Sequence, residues 1–476
     1  MENKMNITKI ENIARKILER GHRLFLVGGC VRNSLLNLPI KDLDLVTSMR
    51  PDELIETFSD HNIDIVGKTF GVVIVDSFEI ATYRRDVYNS DIAHSKGADN
   101  VEFALSIEED LGRRDLTINS IAKEIIVDIN TNIVLGDYVY PSDLCLDDIM
   151  TRTIRFVGDP NERIKEDPCR ILRAFRFFQL LGDKATMTES AFSAIVSNTD
   201  KIDLIAKERI RLEFMKMMEI KSPLFDALNL MLASGILAKL IPPLAKCHGV
   251  DGGPYHNETV FDHGLLACDS VDAKYPLTRL AALMHDIGKI KTQVIVDGVT
   301  HFYSHELISE RLTRKWMIDT KFSLDEINVV CELISNHMFY FEKISKDSSF
   351  RRLMSKLKYN KVRDLLRIRL ADRRGNKKKL GVPFMFKYVL RRIRKIEADD
   401  QALHISDLCV DGNDLIQMGI QPGPIFKTIL EDILNRVLDV PEFNLDKNAI
   451  LEYIHMTYKN SDAQSQPVNI ELSRIE

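Results

Sequence analysis

The sequence predicts an α+β chain: a head of mixed sheet and helices over roughly the first 150 residues, then an all-α body. Two observations carry this. Strand-like apolar runs such as RLFLVG (23–28) and DLDLVT (42–47) alternate with helical segments only in the head, whereas from about residue 160 long stretches carry apolar residues at helical spacing. A third observation sets the domain count, because 476 residues exceed the ~250–300 at which single cores stop growing. The divisions fall at 1–150, a helical neck and body at 151–247, a helical unit at 248–375 opening on the Gly/Pro loop HGVDGGPYHN, and a helical tail at 376–476.

Within the head, an amphipathic helix is expected near 7–20, strand 23–28, a helix from about 30, strand 42–47, and a helix from 51, where Pro51 suits a first turn. Strands follow near 62–67, 70–76 and 78–84. The composition, 45% hydrophobic and 28% charged, is that of a soluble globular protein, and the net charge of −5 does not by itself point to nucleic acid. Seven scattered cysteines without a C-x-x-C pair fit a reducing, cytoplasmic setting. No apolar run approaches the ~18 residues of a membrane span, and the charged N-terminus lacks a targeting core. The last residues, NSDAQSQPVNIELSRIE, read as weakly ordered.

The stretch FLVGGCVRNSLLNLPIKDLDL (25–45) concentrates chemistry. Gly28 and Gly29 follow a strand and open a helix, which lets backbone approach a ligand and offers N–H groups to phosphate, with Arg32 in the first turn adding charge. If 42–47 is a strand, Asp42 and Asp44 share one face while Leu43 and Leu45 turn inward. Two carboxylates so close repel, and a hard cation such as Mg²⁺, which takes carboxylates together with phosphate oxygens, relieves that. Glu79, starting a strand expected beside them, is the candidate third carboxylate for a two-metal phosphoryl transfer.

This stretch resembles the signature of the class II nucleotidyltransferases of the DNA polymerase beta superfamily, which comprise bacterial tRNA CCA-adding enzymes and poly(A) polymerases. Further resemblances follow in family order: LGRRDLTINSIA (111–122), EDPCRILRAFRF (166–177) and AKERIRLEFMK (206–216). The resemblance implies a polymerase-beta-like head with Mg²⁺ at Asp42 and Asp44. It implies that Arg113, Arg114 and Asp115 hold the nucleotide sugar and triphosphate, residue types that suit phosphate and a ribose hydroxyl. It also implies that Asp167 and Arg170, three apart and expected on one helix face, select CTP and ATP while Glu166 holds the arrangement. One departure is DYVYPSDLCLDD (137–148), where a glycine-bearing connector is expected.

A second constellation lies in LAALMHDIGK (280–289), with His285 beside Asp286. Together with His263, His305, His337 and Asp372 it resembles the HD superfamily of metal-dependent phosphohydrolases. The resemblance implies a first metal on His263, His285, Asp286 and Asp372, with His305 and His337 for a second metal or a substrate phosphate. Imidazole with carboxylate suits Mn, Fe, Ni or Zn, and Mg²⁺ is also open.

From Arg351 to Ile396 there are 18 Lys/Arg against two Asp/Glu, a face suited to a phosphate backbone. ISDLCVDGNDLIQMGIQPGPIFKTILEDILNRVLD (405–439) resembles the tail of bacterial CCA-adding enzymes. The expectation is a CCA-adding nucleotidyltransferase using tRNA, CTP and ATP. The alternatives are a poly(A) polymerase or A-adding enzyme, an HD phosphohydrolase with a vestigial head, and a non-catalytic RNA-binding protein; oligomeric state is left open.

Overall fold

The computed structural model describes residues 10–65, 67, 71–87, 100–128, 130, 132–339, 345–357, 362–378, 384–399 and 401–459. Residues 88–99 and 460–476 lie outside them. The head's main sheet contains β1 (Leu24–Val27), β2 (Leu45–Thr47), β3 (Ile63–Asp64), β4 (Val72–Val75) and β5 (Phe78–Thr82). A separate ribbon of β6 (Arg84–Val87) and β7 (Asn100–Phe103) follows, then β8 (Ala122–Val127) and β9 (Ile133–Val139) complete the sheet. Its order is β3-β4-β5-β2-β1-β8-β9.

All four residues of β1 are buried, which is why LFLV is an unbroken apolar run rather than an alternating one. Burying Leu24, Phe25 or Leu26 contributes roughly 1.5–3 kcal/mol each relative to exposure. Within this sheet the parallel pairing among the described residues, β2 with β5, aligns Leu45 with Ile80. Asp44 and Glu79, each one residue earlier, therefore leave the sheet side by side. The ladder of β2 starts at Leu45, so Asp42 and Asp44 precede the strand rather than alternate within it. One backbone bond, Val27 N–H to the Asp44 carbonyl at 3.0 Å, still ties Asp44 to β1.

The head and neck helices are α1 (Glu11–Glu19), α2 (Gly29–Leu35), α3 (Pro51–Thr57), α4 (Ile107–Gly112), α5 (Leu144–Thr151), α6 (Pro160–Glu166), α7 (Cys169–Leu181), α8 (Glu189–Ser197) and α9 (Lys207–Met218). Pro51 opens α3 as expected, and the Asp159 side chain accepts the Asn161 N–H to start α6. Beyond α9 the body is helical except for short ribbons. The clearest is the hairpin Gln293–Val296 with Val299–Phe302, where Asp297 and Gly298 both take positive φ between β-branched strands.

The chain divides into two compact units: residues 1–334 with 375–378, and residues 335–374 with 379–476. The division at 334 falls inside the 248–375 span. In the second unit, Ile429, Ile433 and Val437 of the helix Pro424–Asp439 pack with Val410, Leu415, Ile450 and Ile454. Among the described residues, no helix is long and apolar enough to cross a membrane.

Candidate active site

A cleft of about 500 Å³ in the first unit gathers the end of β1, Asp44, Glu79 of β5, the arginine pair after α4, and side chains of α7 and α9. Gly28 turns the chain at its edge with φ +64°, and a Cβ there would lie 3.1 Å from Arg114 Nη1 and 3.7 Å from the Asn119 carbonyl. Glycine is favoured there by the backbone conformation, and a Cβ would also displace the end of the Arg114 side chain. Gly29 begins α2, and an added Cβ would sit 4.0 Å from Asp44 Oδ2.

Asp44 is open to solvent at the cleft wall, yet surrounding protein displaces much of its water. That burial, then the charges of Glu79 and Asp42, raises its carboxyl above the usual range, against the opposing pull of Arg114. A carboxylate whose ionisation is opposed by two neighbouring carboxylates fits a divalent cation, which would offset the repulsion. Arg32 departs from expectation. It is 5% exposed, its guanidinium donates to Asn119 and Asn33 and lies 4.9 Å over the Phe177 ring, and it does not line the cleft. Burial, then the crowding of Arg176, lowers it to about 10.

The two adjacent arginines are fixed from behind. Asp110, fully buried on α4, accepts from Arg113 Nη2 at 2.8 Å and Arg114 Nη2 at 3.1 Å. Both still line the cleft, as does Asp115. Asp115 accepts from Arg173 Nε at 2.6 Å, from Asn119 Nδ2 at 3.1 Å and from the Leu116 N–H at 2.8 Å. Burial alone would raise its carboxyl, but Arg173 and these bonds hold it well below the usual range. Asp115 is thus an anion at any working pH, held in one orientation.

Asp167 and Arg170 both reach the cleft, but not from one helix face. Asp167 ends α6 with extended backbone (φ −148°, ψ 101°) and Pro168 separates it from α7. Its carboxylate accepts the Cys169 N–H at 3.0 Å and a two-pronged contact from Arg209 of α9, Nη1 to Oδ1 at 2.9 Å and Nη2 to Oδ2 at 2.6 Å. Arg170 donates to Glu166, to the Arg163 carbonyl at 3.1 Å and to the Arg113 carbonyl at 3.0 Å. Each side chain is therefore pre-set before any ligand arrives, and Glu166 stands in the holding position expected of it.

A second cluster is buried in the same unit. His263 of the helix Val260–Asp269 points Nε2 at His285 Nε2 (3.3 Å) and Asp286 Oδ2 (3.6 Å), and His285 Nε2 lies 3.4 Å from that same oxygen. His285 Nδ1 donates to the Ala282 carbonyl at 2.7 Å, so Nε2 presents its lone pair to the cluster. Donors each ~2.1 Å from one ion sit ~3.0–3.4 Å apart, so these three fit a divalent cation. His305 Nε2 reaches Asp286 Oδ1 at 3.2 Å and Lys289 Nζ reaches Oδ2 at 2.7 Å. Burial would raise Asp286, but His285, Lys289 and His305 hold it well below the usual range. His337 and Asp372 belong to the second unit, where Asp372 accepts from Arg369 Nη1 at 2.9 Å.

Residues 24–154 match the family model described as poly A polymerase head domain. Behind it, residues 186–247 match "Probable RNA and SrmB- binding site of polymerase A" and residues 255–374 match the HD domain. Curated relatives named CCA-adding enzyme include those of Ligilactobacillus salivarius (39% identical over 215 residues, 44% of this chain and 49% of that protein) and Enterococcus faecalis (36% over 225 residues, 45% and 51%). The chain thus spans about half the length of the curated relatives it matches. A crystal structure of the Bacillus stearothermophilus CCA-adding enzyme in complex with CTP has the same fold, with TM-score 0.65 at 22% identity over 96% of this chain and 100% of that one. The Thermotoga maritima CCA-adding enzyme complexed with tRNA gives 0.53 at 17% identity over 94% and 95%.

Several residues that shape the cleft were not singled out from the sequence. Arg173 lies one turn beyond Arg170 in the quoted EDPCRILRAFRF, and Arg209 sits inside the quoted AKERIRLEFMK. Asn119 lies four residues after Asp115, and Asp110 three and four before the arginines, spacings that bring side chains together on a helical turn.

Proposed function

We propose that the chain is a CCA-adding tRNA nucleotidyltransferase, taking CTP, ATP and a tRNA acceptor end in a cytoplasmic setting. The observation that carries this reading is the cleft itself, where Asp44 and Glu79 face Arg113, Arg114, Asp115, Asp167 and Arg170. Asp42, Asp44 and Glu79 would hold Mg²⁺, which supplies charge neutralisation and an activated hydroxyl when bound. Arg113 and Arg114, anchored by Asp110, present guanidinium donors to the triphosphate. Asp115 has one acceptor site beyond its three bonds and offers it to a ribose hydroxyl. Asp167 and Arg170 offer one acceptor and one donor face to a base edge, selecting cytosine and adenine by hydrogen bonding. The acceptor 3′-hydroxyl attacks the α-phosphate and pyrophosphate leaves.

Within the first unit, His263, His285 and Asp286 would hold a divalent cation, with His305 and Lys289 on the Asp286 carboxylate. In the tail, exposed Lys387, Arg391, Arg394 and Lys395 recur at i, i+4, i+7 and i+8 on the helix Phe384–Ala398, opposite buried Val389, Ile393 and Ile396. That stripe suits an RNA backbone. Others of the 18 basic residues do not add to it, since Arg352, Arg363, Arg367, Arg369 and Arg392 pair with Asp439, Glu397, Asp364, Asp372 and Asp347. Incubating tRNA that lacks its 3′ CCA with single labelled nucleotides tests the reading. Incorporation of CMP supports it; AMP alone would favour an A-adding or poly(A) enzyme, and no incorporation would remove it.

A further inference from the structure

Glu258 carries no part of the chemistry described above, yet its side chain is 1% exposed and lies behind the buried histidine cluster. A carboxylate is rarely enclosed without a task, because desolvation favours its neutral form. Here burial, the largest influence, would raise it, but backbone N–H donors hold it below the usual range. Oε2 accepts from the Asn257 N–H at 2.8 Å and Oε1 from the Lys377 N–H at 2.9 Å. The same Oε1 lies 4.0 Å from His263 Nδ1, on the side of the ring away from His285 and Asp286.

The surroundings of His263 are otherwise tight. His256 packs edge-on against the ring at 4.5 Å. A Cβ on Gly375 would come within 3.2 Å of His263 Nδ1 and 3.0 Å of its carbonyl oxygen, so a side chain there would press on His263. Gly375 begins the short segment 375–378 that belongs to the first unit, and Asn376 Nδ2 donates to the Tyr255 carbonyl at 2.9 Å to hold it. Glu258 Oε1 is therefore bonded to the segment through Lys377 and carries its charge to within 4.0 Å of His263 Nδ1 and 3.8 Å of His256 Nδ1.

We infer that Glu258 is a positioning residue for a divalent cation held by His263, His285 and Asp286. Its negative charge beside Nδ1 favours the tautomer with the proton on that nitrogen, which leaves the Nε2 lone pair directed at the cluster, as the Ala282 carbonyl does for His285. Its bond to Lys377 fixes the segment 375–378 beside His263. This inference rests on the reading of that cluster as a metal site and adds to it a residue that holds the ligands without being one.

The test uses the full chain stripped of metal, titrated with Co²⁺ alone and followed by visible absorption and calorimetry. Glu258→Gln removes the charge and keeps one acceptor oxygen, which can serve Lys377 or Asn257 but not both; it is expected to bind Co²⁺ with unchanged stoichiometry, about 10–100-fold more weakly, and with an altered absorption band. The metal-free melting temperature should fall by no more than the loss of one backbone hydrogen bond accounts for, and Glu258→Asp should recover part of the affinity. His285→Ala reports on the underlying reading. If it binds Co²⁺ as the unaltered chain does, the metal site itself is elsewhere and both claims fail. If His285→Ala loses binding while Glu258→Gln keeps both affinity and spectrum, the metal reading stands and the role of Glu258 is overturned.

Discussion

Replacing Arg209 by lysine probes base selection without touching the substrate directly. The guanidinium grips Asp167 through two bonds of 2.9 and 2.6 Å, and Oδ1 also accepts the Cys169 N–H. Lysine keeps the positive charge but offers a single point contact, so one charge-assisted bond is lost, about 1.5–3 kcal/mol before allowance for the partial exposure of Arg209. The Asp167 carboxylate is then free to rotate. If it reads the base edge as proposed, the preference for CTP and ATP over UTP and GTP should fall by about 10–100-fold, since every ~1.4 kcal/mol is a factor of ten. Steady-state incorporation of each nucleotide into tRNA lacking its 3′ end measures this directly. A variant that loses stability but keeps full discrimination would refute the coupling, because Arg209 would then support the fold alone.

Removing the charge of Glu79 should act on Asp44. Burial and Glu79 raise the Asp44 carboxyl, so Mn²⁺ binding at the head, followed by water-proton relaxation, should fail on acidification at a higher pH than an ordinary aspartate would give, and Glu79→Gln should move that acid limb downward in pH. Asp115→Asn presents an amide to Arg173 and leaves that guanidinium without its carboxylate. Roughly 2–3 kcal/mol of head stability should be lost, visible by urea unfolding, and because the folded Asp115 carboxyl is depressed the loss should be full at neutral pH and shrink only in strong acid. Reversing Lys387, Arg391 and Arg394 to glutamate should weaken tRNA binding and flatten its salt dependence by roughly one unit of log–log slope per cation, measured by filter binding.

The strand–glycine–helix turn was legible because Gly28 is favoured by a positive φ, and such positions announce themselves in sequence. The side-by-side placement of Asp44 and Glu79 followed from β2 pairing with β5, and the buried histidines declared themselves by their chemistry. Other features were hidden by tertiary context. Asp167 and Arg170 looked like helix neighbours at spacing three, but Pro168 bars its predecessor from the helix, and the two meet in the cleft by a turn instead. Arg32 looked like a free cation at a helix start; its burial against Phe177 depends on α7, more than a hundred residues away. The basic run overstated its charge because its acidic partners include Glu397 and Asp439, outside the run. The hairpin at Gln293–Phe302 carried its own Asp-Gly signal within a helical stretch.

The most direct test of the central claim is label transfer to tRNA ending before its CCA, with CTP and ATP together, for the unaltered chain and for Asp44→Ala. The account predicts two cytidylates followed by one adenylate on the 3′ end, and loss of at least a thousandfold in rate when the Asp44 carboxylate is removed, about 4 kcal/mol of barrier. Undiminished incorporation by Asp44→Ala, or a chain that adds no cytidylate, would contradict it.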